Sequence, residues 1–165
     1  MSAKIIDGKA LAEKIKAEIR VATDALTTAG KRRPGLAVIM VGDAAASEVY
    51  VRNKRRSCEQ AGIVSSAHDL PASTSESELL ALIHLLNTDS AIDGILVQLP
   101  LPPQIRSRPI IDAIDPTKDV DGFHPYNLGR LAQREPLLRC CTPYGVMRLV
   151  ESIGAKIAGM NAVVV

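Results

Sequence analysis

The chain has 165 residues, 47% hydrophobic and 23% charged, with a formal net charge of +2, the composition of a globular protein of one domain, or of one domain and part of a second. So small a charge does not make a nucleic-acid surface, and 2% aromatic residues with no Trp do not make a base-stacking platform. No apolar run approaches the ~20 residues of a membrane span, and MSAKIIDGKA carries charges where a signal peptide would be apolar, so a cytoplasmic protein is expected.

In chain order, residues 7–29 place Ala10, Leu11, Ile15, Ile19, Ala22 and Leu26 at helical spacing, with Gly30 as a stop. Residues 36–41 form a short apolar run without alternation, closed by Gly42, and predict a strand covered on both faces. A loop over 43–46 leads to a helix over 47–61, with Ser47 as N-cap. Residues 63–70 are a weaker strand, and Thr74 or Ser75 caps a helix over 76–87. Residues 95–97 are a second strongly apolar strand that runs into Gln98-Leu99-Pro100-Leu101-Pro102-Pro103, where the prolines prevent a continued ladder. A short helix over 109–114 follows. Residues 117–130 are polar and irregular and read as an ordered loop. Thr142 and Pro143 read as N-cap and N1 of a helix to about Ser152, and 160–165 as a further apolar strand that opens a second domain.

Strands alternating with helices at this spacing predict an α/β fold, a three-layer parallel sheet. Ligands in such sheets bind at the C-terminal ends of the strands. That puts the loop after Val41, the start of the 47–61 helix and the Gln98 turn on one rim. Within that helix Ser47, Tyr50, Val51, Lys54, Cys58 and Ala61 share a stripe at ~100° per residue. Lys54 is the one charge on the stripe, a turn from Tyr50. It either snorkels to water at the stripe's edge or is held in a cleft for proton transfer. Gln98 reads equally as a strand-end cap, and Asp119 and Asp121 as solvated loop charges or turn chemistry. Arg52, Arg55 and Arg56 lie on the solvated side. Cys58, Cys140 and Cys141, with scattered His68, His84 and His124, have no metal-ligand spacing, so reduced thiols and no metal are expected.

Four motifs, VGDAAASEVYVRNK, GILVQLPLP, DPTKDVDGFHPYNLGRL and CTPYG, occur in order across essentially the whole chain. Together they resemble the bacterial-type bifunctional methylenetetrahydrofolate dehydrogenase/methenyltetrahydrofolate cyclohydrolases. The resemblance implies a folate-binding catalytic domain over 1–121. It implies that 122–165 hold a linker, a connecting helix and the first strand of a Rossmann-type NADP domain whose cofactor turn lies beyond Val165. It implies oxidation of methylenetetrahydrofolate with NADP, hydrolysis of the methenyl product to 10-formyltetrahydrofolate, no metal, and a homodimer when full-length. Lys54 matches the family's catalytic lysine, Tyr50 its tyrosine partner and Gln98 the glutamine before L-P-L-P. Substrate contacts are implied for Ser47, Tyr50, Lys54, Val97, Gln98, Leu99, Pro100 and Asp121, the last at the pterin's amidine edge, and Thr142 is implied near the nicotinamide. Cys140 stands where the family commonly has Pro. A chain without the cofactor turn leaves a second reading open, a non-catalytic folate- or pterin-binding module.

Overall fold

The computed structural model describes residues 5–42 and 45–163, with the side chains of residues 45–51 outside the description. In order the elements are α1 (Gly8–Thr28), β1 (Gly35–Val41), α2 (Ala45–Ala61), β2 (Val64–Leu70), α3 (Glu76–Thr88), β3 (Gly94–Val97), α4 (Ser107–Ala113), α5 (Pro125–Ala132) and α6 (Cys141–Ser152). The three strands are parallel and lie in the order β2-β1-β3. The step from β1 to β2 therefore runs one way along the sheet and the step from β2 to β3 runs back. Right-handed crossovers then put α2 and α3 on opposite faces.

Alternate residues of a strand face opposite ways, and burial follows that alternation. Ala37, Ile39 and Val41 of β1 join Ile95 and Val97 of β3 against Leu79, Ile83 and Leu86 of α3 and Ile110 of α4. On the other face Val38 and Leu96 form a small cluster with half-buried Leu36, Met40 and Val120. Strand β1, buried from Gly35 to Val41 except for half-buried Leu36 and Met40, thus fits the expectation of a strand covered on both faces.

Local chemistry sets the helix ends. Asp7 caps α1, its Oδ1 accepting from Ala10 N at 2.9 Å. Ser75, not Thr74, caps α3 in a reciprocal box with Glu78, which satisfies two otherwise orphaned backbone donors. The C-terminal end of α3 is closed by a cation. Lys118 Nζ donates to the carbonyls of Leu86 at 3.0 Å, Asn87 at 2.8 Å and Asp89 at 2.9 Å, where the helix dipole favours positive charge.

Four local expectations are corrected. Helix α2 begins at Ala45, so residues 45 and 46 are helical rather than loop and Ser47 lies inside the helix rather than at its cap. Residues 117–130 are not all loop, because α5 starts at Pro125. There His124 Nδ1 accepts from Tyr126 N at 3.0 Å, and proline at the first position costs no hydrogen bond. Cys140 is the N-cap of α6 but makes no side-chain capping hydrogen bond to the helix, which puts Thr142 within the first turn. Residues 160–163 form no strand. A strand needs a ladder partner, and none of the described strands pairs with this segment, in which Met160 and Val163 are 67% and 88% exposed.

Candidate functional site

The site is built where β3 ends. Gln98 N donates to Ile39 O at 2.8 Å, one more rung against β1 after Val97. The pleat turns Val97 into the α3 face and sends the next side chain, Gln98, to the α2 face. There Lys54, half-buried on the third turn of the helix that follows β1, reaches down. Its Nζ donates to Gln98 Oε1 at 3.1 Å. The amide's other end is occupied, because Gln98 Nε2 donates to Leu99 O at 2.7 Å, so the oxygen faces the lysine. The next peptide, Leu99–Pro100, is cis. Among the described residues the lysine is thus held by a neutral acceptor and makes no ion pair.

Asp121 arrives from a turn docked on the free edge of β3. Ile95 N donates to Lys118 O at 2.7 Å, and Ile95 and Asp119 form a parallel bridge. Burial pushes the Asp121 carboxyl above the usual carboxylate range; the Lys54 ammonium pulls it down and the Asp119 charge pushes it up. The opposing pull places Lys54 and Asp121 within each other's field. A half-buried acid, a lysine and an amide therefore converge at one end of the parallel strands. That arrangement can bind a flat heterocycle through a donor–acceptor edge and move a proton at its rim.

Of the other residues singled out from sequence, Leu99 is half-buried and Pro100 exposed beside Gln98, while Val97 is buried in the opposite face. Ser47 and Tyr50 lie on α2, Tyr50 one turn before Lys54, and their side chains lie outside the described residues. Thr142 is exposed. It faces a groove of about 710 Å³ between α1 and α6, lined also by Leu11, Ile15 and Leu149, and no hydrogen bond joins it to Lys54, Gln98 or Asp121.

The sequence reading missed what surrounds Asp121. Asp119 is 2% exposed and Asn127 is 1% exposed, not solvated. The two adjacent cysteines grip the carbonyls on either side of Asp121, Cys141 Sγ donating to Val120 O at 3.1 Å and Cys140 Sγ to Gly122 O at 3.0 Å. Burial pushes both thiols up, and all three cysteines are free. A signal for the turn existed in Asp-x-Asp-Gly, whose glycine takes φ 71° and would bring a Cβ within 2.5 Å of the Arg139 backbone. Nothing in the local sequence pointed to Asn127. Among the described residues no three His, Cys, Asp or Glu side chains are grouped to hold a metal ion, and no helix is long and apolar enough to cross a membrane.

Residues 6–121 match the family model of the tetrahydrofolate dehydrogenase/cyclohydrolase catalytic domain. The bifunctional methylenetetrahydrofolate dehydrogenase/cyclohydrolase of Campylobacter jejuni is similar at 45% identity and a TM-score of 0.90, over 93% of this chain and 54% of that one. The 5,10-methylenetetrahydrofolate dehydrogenase of the silkworm, Bombyx mori, is 40% identical with a TM-score of 0.90, over 93% and 53%. The Trypanosoma brucei methylenetetrahydrofolate dehydrogenase-cyclohydrolase, a complex with NADP and inhibitor, is 37% identical with a TM-score of 0.92, over 96% and 55%. The chain thus spans about half the length of the solved structures it matches.

Proposed function

The chain belongs to the tetrahydrofolate dehydrogenase/cyclohydrolase family, and from that premise we propose that it is the folate-handling part of a cytoplasmic, homodimeric enzyme of one-carbon metabolism. That enzyme oxidises 5,10-methylenetetrahydrofolate with NADP and hydrolyses the methenyl product to 10-formyltetrahydrofolate. In this reading residues 1–121 are the folate domain and 122–165 lead into the cofactor domain. The observation that supports it best is the Lys54 to Gln98 hydrogen bond of 3.1 Å at the strand ends, with Asp121 in the lysine's field.

The hydrolysis is assigned to these residues. The methenyl carbon is a stabilised cation. Water adds to it and loses a proton, giving a neutral tetrahedral adduct. Cleavage of the bond from that carbon to N5 then moves a proton to N5 and leaves the formyl group on N10. Lys54 is the group placed to carry these protons, and Gln98 holds its Nζ on the reaction side. Asp121 accepts two parallel N–H bonds from the pterin's amidine edge and so sets where the methenyl carbon lies. Tyr50 and Ser47, on the same helix, and Leu99 and Pro100, beside Gln98, complete the proposed substrate contacts; Val97 acts by holding the strand end from its buried side.

When bound, NADP supplies a hydride acceptor for the methylene group. The described residues do not themselves form a dinucleotide site. No glycine-rich turn runs from a strand into a helix among them, and Thr142 offers a single hydroxyl on a groove of its own. No step is therefore routed through the cofactor.

In the protein carrying both domains, Lys54→Met is expected to cut methenyltetrahydrofolate hydrolysis by about 100-fold or more, with circular dichroism unchanged. A normal rate in that variant would refute the mechanism. The competing reading is a folate-binding module without catalysis. Hydrolysis of methenyltetrahydrofolate by the chain itself, with no dinucleotide added, would exclude it.

A further inference from the structure

Among the described residues Asp119 is the only buried acid, 2% exposed, and the proposed chemistry does not use it. A buried carboxylate persists only when hydrogen bonds replace its water. Here Oδ1 accepts from Gly122 N at 3.1 Å, and Oδ2 accepts from His124 N at 2.8 Å and Asn127 Nδ2 at 2.9 Å. Two of these donors are backbone amides of the turn that follows Asp121, so the chain is wrapped around the carboxylate. Asn127 Nδ2 also donates to Pro116 O at 2.8 Å, which closes the loop from behind and ties it to α5.

The same residue is docked on the sheet through its bridge to Ile95. Three residues further along, the strand delivers Gln98 to Lys54. Both halves of the site therefore hang from β3, the lysine through Gln98 and the acid through Asp119. Resting on the folate reading above, we propose that Asp119 is a positioning residue of that site: its carboxylate sets where Asp121 stands relative to Lys54 and Gln98, and so controls substrate binding without touching the substrate.

Charge gives this role a readout that mere structural support lacks. The groups that face Asp121 are Lys54 from α2, Asp119 from its own segment and the Cys140 and Cys141 thiols from the start of α6. Burial pushes both thiols up, so they stay neutral at pH 7, and Asp119 is the negative charge that opposes ionisation of Asp121. Neutralising it lets Asp121 ionise at lower pH. If the Asp121 anion holds the pterin, binding then persists to lower pH even while its strength at neutral pH falls.

The test titrates the chain with 5-formyltetrahydrofolate, an air-stable reduced folate, from about pH 4 to pH 8, for wild type, Asp119→Asn and Asn127→Ala. Asp119→Asn is expected to weaken binding at neutral pH by about tenfold or more and to move the acid midpoint of binding to lower pH. Asn127→Ala removes one donor and no charge, so it is expected to weaken binding by about threefold or more with the midpoint unmoved. The ligand's own titration is common to all three proteins. A folded Asp119→Asn that binds within twofold of wild type, with the same midpoint, would overturn the proposal. Should that variant not fold, Asn127→Ala decides: weaker binding supports the role and unchanged affinity overturns it. Failure of the wild type to bind reduced folate would overturn the folate reading itself, and this inference with it.

Discussion

On the α3 side of the sheet, Ala37, Ile39, Val41, Ile95 and Val97 meet Leu79, Ile83, Leu86, Ile105, Ile110 and Ile114 in one continuous apolar cluster. On the α2 side, among the described residues, Val38 and Leu96 form a small buried cluster on the sheet, Cys58 and Ala61 are buried on α2, and the neighbouring groups are Lys54, Gln98 and Asp121. The same two strands supply both faces. What differs is the residue placed at alternate positions and the helix laid over it. One face removes apolar surface from water and carries stability. The other gives buried space to groups that are costly to desolvate, as expected of the proposed binding site, at some expense to the fold.

The comparison is broken most directly on the apolar face. Ile83 is 0% exposed, and Ile83→Ala is expected to cost about 2–5 kcal/mol by urea unfolding while leaving the affinity for reduced folate unchanged in the folded fraction. A cost below about 1 kcal/mol would mean that this face is less tightly packed than its burial implies. Asp121 tests the opposite face. Its folded pKa is raised, chiefly by burial, so the stability linked to it is present below the unfolded value and lost as pH rises through the folded one. Asp121→Asn is therefore expected to raise the melting temperature at pH 7, with the gain gone near pH 3, and to weaken folate binding. A variant less stable at pH 7 with unchanged affinity would return Asp121 to a structural role.

The smallest effect concerns a surface tie across α3 and α4. Arg106 holds the Glu76 carboxylate by side-chain and backbone hydrogen bonds and lowers it from 4.5 to about 2. A lowered acid gives stability that is present above its unfolded value and lost as pH falls through the folded one. Glu76→Gln is expected to lower the melting temperature slightly near pH 6 and to make no difference below about pH 2. A difference that persisted below that pH would show that the loss came from packing rather than from charge.

Where local chemistry repeats itself, sequence reading went far. Short apolar runs beside a glycine marked β1 and β3, a stripe at helical spacing marked α1, and Thr74 or Ser75 as a cap marked the start of α3, where the structure chose Ser75. Lys54 and Gln98 were both noticed, one as a charge on an apolar stripe and the other as the polar end of an apolar strand. That they touch is set by two features no local window contains, the parallel register of β1 with β3 and the pleat that turns Gln98 toward α2. Asp119 failed for the opposite reason. An acid in a polar stretch reads as solvated, and its burial depends on Asn127, eight residues away, and on the edge of β3. Helix α5 was missed because a run containing Gly122, Pro125 and Gly129 carries loop signals, although Pro125 sits at the one helical position that tolerates it without loss.

The amino-acid sequence by itself determined the fold class, the order of the strands and helices along the chain, and the residue types available for acid–base chemistry. These follow from periodicity and capping, which act over a few residues. The tertiary structure alone decided which face of the sheet became core and which became site, and which of two neighbouring acids was buried as a support and which was left half-open beside a lysine. Burial and electrostatic environment depend on what packs against a residue, and packing partners are brought together only when the sheet closes.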